Sequence, residues 1–119
     1  RPAALLDLLI NNADRKAGHV ILSPDGHVWL IDHGVCFHEE DKLRTVIWDF
    51  AGEPIPAALL AAIEQLRAGL DEGRGLQTQL APLLSPAEIR ALRDRSDLLL
   101  AERRFPHPGP GRPFPWPLI

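Results

Sequence analysis

The stretch Asn12–Gly34, NADRKAGHVILSPDGHVWLIDHG, decides how this chain is read. Two short apolar runs, residues 19–23 (HVILS) and 27–31 (HVWLI), flank Pro24-Asp25-Gly26. Proline presets φ for a turn and glycine accepts positive φ, so the pattern predicts a β-hairpin. A tight hairpin brings its outer ends together, with paired strands roughly 5 Å apart. Asp14, before the first run, and His19, at its start, are therefore expected near Asp32 after the second. With Lys16 added, two carboxylates, an imidazole and an ammonium meet at one hairpin mouth, and that reads as a site.

Outward from the hairpin the chain turns helical. Residues 2–11 predict a buried helix, because Leu5/Leu9 and Leu6/Ile10 are i,i+4 pairs and both flanks are apolar. Residues 12–18 read as a loop. After the hairpin, HEEDK (38–42) reads as a charged turn, and the period of LRTVIWDF (43–50) fits strand or helix, with helix preferred. Pro56 suits a first helical turn, Ala57–Ala68 is rich in Ala and Leu, and Gly69 ends the run. A short helix is expected around Leu76–Leu83. Ser85-Pro86-Ala87-Glu88 is a strong helix start, with Ser as N-cap, Pro in the first turn and Glu three residues after the cap. That helix should run to about Arg104, with Arg103 and Arg104 in its last turn. The proline-rich segment 106–119 should be extended, with little packing of its own. Trp29 and Trp48 read as core, Cys36 as a buried thiol, and His27 as a cross-strand neighbour of His19. The fold class is α+β: a site-bearing hairpin on a mainly helical body at 1–105, followed by the tail at 106–119.

Composition narrows the function. A formal net charge of −3 gives no general attraction to nucleic acid or anionic lipid. The longest uninterrupted apolar run, 57–63, is far short of the ~20 residues that span a bilayer. The single Cys36 forms no internal disulfide and fits a reducing cytoplasm. The chain has no methionine and opens inside a helical pattern without a cap, so it is expected to be the C-terminal part of a longer protein.

Phosphoryl transfer from a nucleotide needs a carboxylate near the attacking hydroxyl and oxygen ligands for Mg²⁺ at the phosphates. A hairpin with one carboxylate before it and one after it meets that need. Asp14 is the candidate base, Asp32 the candidate metal ligand, Lys16 a charge beside the transferred group, and Gly34 a permissive turn.

The same residues carry a resemblance. Asp14-Arg15-Lys16-Ala17-Gly18-His19 resembles the D-R-H-x-x-N catalytic loop of phosphatidylinositol 3- and 4-kinases. Ile31-Asp32-His33-Gly34 resembles their I-D-F-G metal-binding motif, at the same separation. An uncharacterised bacterial branch of that superfamily is similar further, through Asn11–Lys16, His19-Val20, Asp32–Gly34 and Lys42–Trp48. The likeness is close over residues 5–50 and covers the helical remainder only in layout.

What the resemblance implies is an ATP-dependent kinase C-terminal lobe. Asp14 and Lys16 would be catalytic, Asp32 and His19 would hold metal, and Arg15, His19 and His33 would contact the cofactor. Lys16 stands where the loop has histidine, His33 where the motif has phenylalanine, and His19 where the loop has its metal-binding asparagine. Imidazole is a poor partner for Mg²⁺ and a better one for Mn²⁺, so both cations are considered. The family's ATP-anchoring lysine and phosphate-covering loop have no counterpart, since the only lysines are Lys16 and Lys42. The expected partners are ATP, with Mg²⁺ or Mn²⁺, and an unknown hydroxyl-bearing substrate. A pseudokinase that senses nucleotide, and a HipA-type protein kinase, are the alternative readings.

Overall fold

The computed structural model describes residues 1–31, 33, 36–38, 40, 43–45, 47–108, 113 and 115. Helix α1 spans Pro2–Ile10, and a single 3₁₀ turn, Ala17–His19, leads into strands β1 (Val20–Leu22) and β2 (Val28–Leu30). Helices α2 (Ala57–Gly69), α3 (Gly75–Leu80) and α4 (Pro86–Glu102) complete the order. The protein is α+β: a two-stranded antiparallel hairpin on a helical body. No described helix is long and apolar enough to cross a membrane.

The helical body holds the core. α4 packs against both α1 and α2, and Leu5, Leu9, Leu60, Ile63, Ile89, Leu92 and Leu99 are buried where they meet. α4 starts as its sequence predicts. The Ser85 hydroxyl accepts the Glu88 amide at 3.1 Å, and the Glu88 carboxylate accepts the Ser85 amide at 2.8 Å, so two otherwise orphaned donors are satisfied reciprocally. Its end differs from expectation. Arg103 is the C-cap, with a left-handed φ of 59°, so Arg103 and Arg104 lie past the last turn. They extend the chain away from the helix instead. Ile55 N–H donates to the Arg103 carbonyl, Phe105 N–H to Glu53, and Gly52 N–H to Phe105, zipping 103–105 antiparallel to 52–55. Phe105 is thereby carried into the core.

The hairpin forms with Val20 opposite Leu30, Ile21 opposite Trp29 and Leu22 opposite Val28. Its turn is closed by Gly26 at φ 85° and by the Asp25 carboxylate, which accepts from the Ser23 hydroxyl and the His27 amide. Those bonds, the Ser23 one foremost, hold the Asp25 carboxyl below the usual carboxylate range. Trp29 is not core: it is 55% exposed, and Leu22 is 70% exposed, because among the described residues no second layer covers the two strands. His27 stacks edgewise on Trp29 of its own strand, with ring centroids 4.3 Å apart.

Two further expectations change. Among the described residues 43–50 there is no helix. Arg44 and Thr45 run extended beside the 12–15 loop and form a parallel bridge between Arg15 and Thr45. Pro113 and Pro115 of the tail pack more than its composition suggested. The Pro113 carbonyl accepts from the Thr45 amide at 2.9 Å and from the Trp48 indole at 3.2 Å, and Pro115 is fully buried. Proline keeps its carbonyl as an acceptor even though it has no N–H to donate. Cys36 and Trp48 are each only partly buried.

Candidate active site

The site grows from the end of α1. The helix stops at Asn11, whose φ of 54° places it in the left-handed region that asparagine tolerates better than most residues. That reversal releases Asn12 and the loop that follows. Asn12 is buried; its side-chain carbonyl accepts the Asp14 amide at 2.9 Å, a local turn that fixes the backbone at Asp14. Asp14 and Lys16 then stand at the surface, each partly covered, with carboxylate and ammonium 3.8 Å apart. The pair predicted to do chemistry is therefore brought together.

Arg15, between them, points the other way. It is completely buried, with its Nε 3.1 Å from both carboxylate oxygens of Asp7 and a terminal nitrogen 3.0 Å from Oδ1. Its other terminal nitrogen donates to the carbonyl of Ile31 at 2.9 Å. The cofactor contact expected of Arg15 is replaced by this internal ion pair, since a side chain with no exposed surface cannot meet a ligand from solvent. Asp7 also accepts from the Asn12 amide nitrogen and the Thr45 hydroxyl, both at 3.2 Å. Four side chains thus form one buried polar cluster. The one signal for it in the sequence is a single charge, Asp7, inside the apolar helix Leu5–Ile10.

His19 closes the 3₁₀ turn, and its Nδ1 accepts the Lys16 amide at 3.2 Å. A neutral imidazole that accepts at Nδ1 carries its proton on Nε2, so its second nitrogen is a hydrogen-bond donor. The His19 carbonyl accepts the Ile31 amide at 3.0 Å, which places His19 directly across the hairpin from Ile31. His33 is exposed. Asp32, Gly34 and Lys42 lie outside the described residues. Among the described residues, no three His, Cys, Asp or Glu side chains form a metal-holding group.

With this geometry in view, the similar proteins can be compared. The chain is 48% identical over 117 residues to Protein Rv2133c of Mycobacterium tuberculosis, which covers 98% of this chain and 41% of that protein. It is 37% identical over 103 residues to phosphatidylinositol 4-kinase gamma 4 of rice, covering 81% of this chain and 18% of the kinase. It is 35% identical over 71 residues to phosphatidylinositol 4-kinase gamma 3 of Arabidopsis thaliana, covering 53% and 12%. The chain thus spans less than half of Rv2133c and under a fifth of either plant kinase. No family model matches the chain, and no solved structure does. These partial similarities support a kinase-like relationship.

Proposed function

We propose that residues 1–105 belong to the C-terminal lobe of an ATP-dependent phosphotransferase of the phosphatidylinositol 3-/4-kinase-like type, acting in the cytoplasm. In this reading the lobe transfers the γ-phosphoryl group to a hydroxyl. The observation that carries the proposal is the outward-facing Asp14–Lys16 pair on a loop whose intervening Arg15 is locked inward. Similarity to two phosphatidylinositol 4-kinases agrees with it.

The side chains suit the two ends of a phosphoryl transfer. Asp14 accepts the proton of the attacking hydroxyl, a general-base contribution of about 10²–10⁴-fold. Lys16 offsets negative charge on the transferring group. His19, whose Nδ1 accepts the Lys16 amide, is assigned to nucleotide contact, since imidazole nitrogen is a poor partner for a hard cation. His33 is assigned to the same nucleotide. Asp32 is the residue assigned to hold Mg²⁺ or Mn²⁺, because its carboxylate supplies the oxygen ligand both cations accept. Bound metal-ATP supplies the phosphoryl group and neutralises its charge. Arg15 takes a positioning role in place of a cofactor contact.

Phosphate transfer from labelled ATP by the full-length polypeptide tests this. Asp14→Ala and Asp32→Ala should each lower kcat by about 10²-fold or more. Unchanged turnover in both variants overturns the proposal. Metal-independent ATP binding with no turnover in the unmodified protein would instead identify a pseudokinase, the reading favoured by a His19 that stands where the family's asparagine would ligate.

A further inference from the structure

Asp7 lies on α1, well before Asp14 in the chain, yet its buried carboxylate is where the side chains around the loop meet. Three segments converge there. From the loop come Asn12 and Arg15; from the 43–45 segment comes the Thr45 hydroxyl; and through Arg15 the hairpin exit is held at the Ile31 carbonyl. The backbone repeats the same connections. Arg44 N–H donates to Asn12 at 2.9 Å, Arg15 N–H donates to Arg44 at 3.0 Å, and Ile31 N–H donates to His19 at 3.0 Å. The Asn12 side chain uses its nitrogen on Asp7 and its oxygen on the Asp14 amide, so Asp7 and the reactive aspartate share one intermediary.

We infer that Asp7 is a positioning residue: it sets where Asp14 and Lys16 stand relative to the hairpin exit by holding Arg15 and Asn12 from beneath. The inference rests on the phosphotransferase reading for its catalytic consequence, and on geometry alone for its structural one. The reason a core carboxylate is used for this task is directional. An apolar residue at position 7 would be buried equally well in several loop arrangements. A buried carboxylate is satisfied only when the Arg15 fork, the Asn12 amide and the Thr45 hydroxyl all arrive together. Leaving it partly unmet in a low-dielectric interior is unfavourable, so alternative loop conformations are excluded. The guanidinium's planar, fixed fork carries that constraint on to Ile31, which a lysine with a single point of charge cannot do.

The test uses Asp7→Asn, which keeps shape and one acceptor, and Thr45→Val, which removes the hydroxyl that donates to Asp7 and accepts the Ile47 amide at 3.1 Å, and leaves the ion pair. Amide hydrogen exchange in the full-length polypeptide is read at Arg15, Arg44 and Ile31, with Ile89 and Leu99 in α4 as internal standards. The expected result for Asp7→Asn is exchange faster by about tenfold or more at the three site amides, beyond any change in α4; Thr45→Val should give a smaller effect in the same direction. Uniform acceleration at all five amides means a general loss of stability and overturns the inference. In the full-length polypeptide, at a temperature where the variant is fully folded by circular dichroism, Asp7→Asn should lower kcat on the order of 10²-fold while KM for ATP stays within about threefold. Arg15→Lys should not restore it. A folded Asp7→Asn with unaltered kcat, beside an unmodified protein that is active, defeats the inference and leaves the phosphotransferase reading standing. An inactive unmodified protein whose site amides still loosen selectively defeats that reading and upholds the clamp.

Discussion

Individual residues carry more of this fold than their number suggests, and several do so through backbone conformation. Asn11 turns the chain out of α1 in the left-handed region, and its side chain then donates to the carbonyls of His38 and Glu40. Gly52 sits at φ 81° where the 103–105 segment zips on, and a Cβ placed there would lie 2.9 Å from the His107 Nε2. Gly52→Ala should therefore destabilise the chain by about 1–3 kcal/mol, measured by urea denaturation. Adding His107→Ala should recover only the steric part, because the positive φ remains. Asp7 is the residue hardest to read in advance. One aspartate in an apolar helix is legible as an anomaly, but nothing local says whether it meets a cation, a cap or solvent.

At the scale of elements, what depends on neighbours within a turn or two was legible. The Ser85–Glu88 box, the proline at the start of α4 and the Pro-Asp-Gly hairpin turn all form where their chemistry places them. The described residues of 43–50 were not, since Arg44 and Thr45 are held beside the 12–15 loop by one bridge and have no period of their own. Arg67 ties α2 to α4 and to the loop that follows α2. Arg67 in the last turn of α2 donates to Asp97 of α4 at 2.6 Å and to Asp71 at 2.7 Å. The Arg67 hydrogen bond holds the Asp71 carboxyl below its ordinary value of 3.8. A carboxyl whose value is lower folded than unfolded adds stability that is complete above 3.8 and is lost as pH falls through the folded value. Thermal melts of Asp71→Asn should accordingly lie below those of the unmodified chain near neutral pH. The gap should close as pH drops below that range, while a gap that is constant with pH would contradict the assignment.

Across the whole molecule the helical body and the hairpin are unequal partners. The body has its core in α1, α2 and α4 with Phe105 inserted from the chain beyond α4, whereas the hairpin leaves Leu22, Val28 and Trp29 more than half exposed. Substitutions should divide accordingly. Phe105→Ala removes a ring that is 3% exposed and should cost about 3–5 kcal/mol. Trp29→Ser in the same 119-residue chain should change stability by no more than about 0.5 kcal/mol. Both are read from denaturant midpoints, and Trp29 should be readily quenched by acrylamide in the unmodified protein.

By itself the sequence determined where α1, α2, α3 and α4 and the hairpin form. Capping, turn chemistry and apolar spacing act over a few residues, and the same residues supply both the signal and the structure. Only the tertiary structure decided that Arg15 faces inward, that Thr45 and Pro113 pair across the chain, and that Asn12, Arg15 and Thr45 meet at Asp7. Each of these is a polar contact between segments distant in sequence. Its partner is chosen by which buried donors and acceptors the packed helices leave to be satisfied.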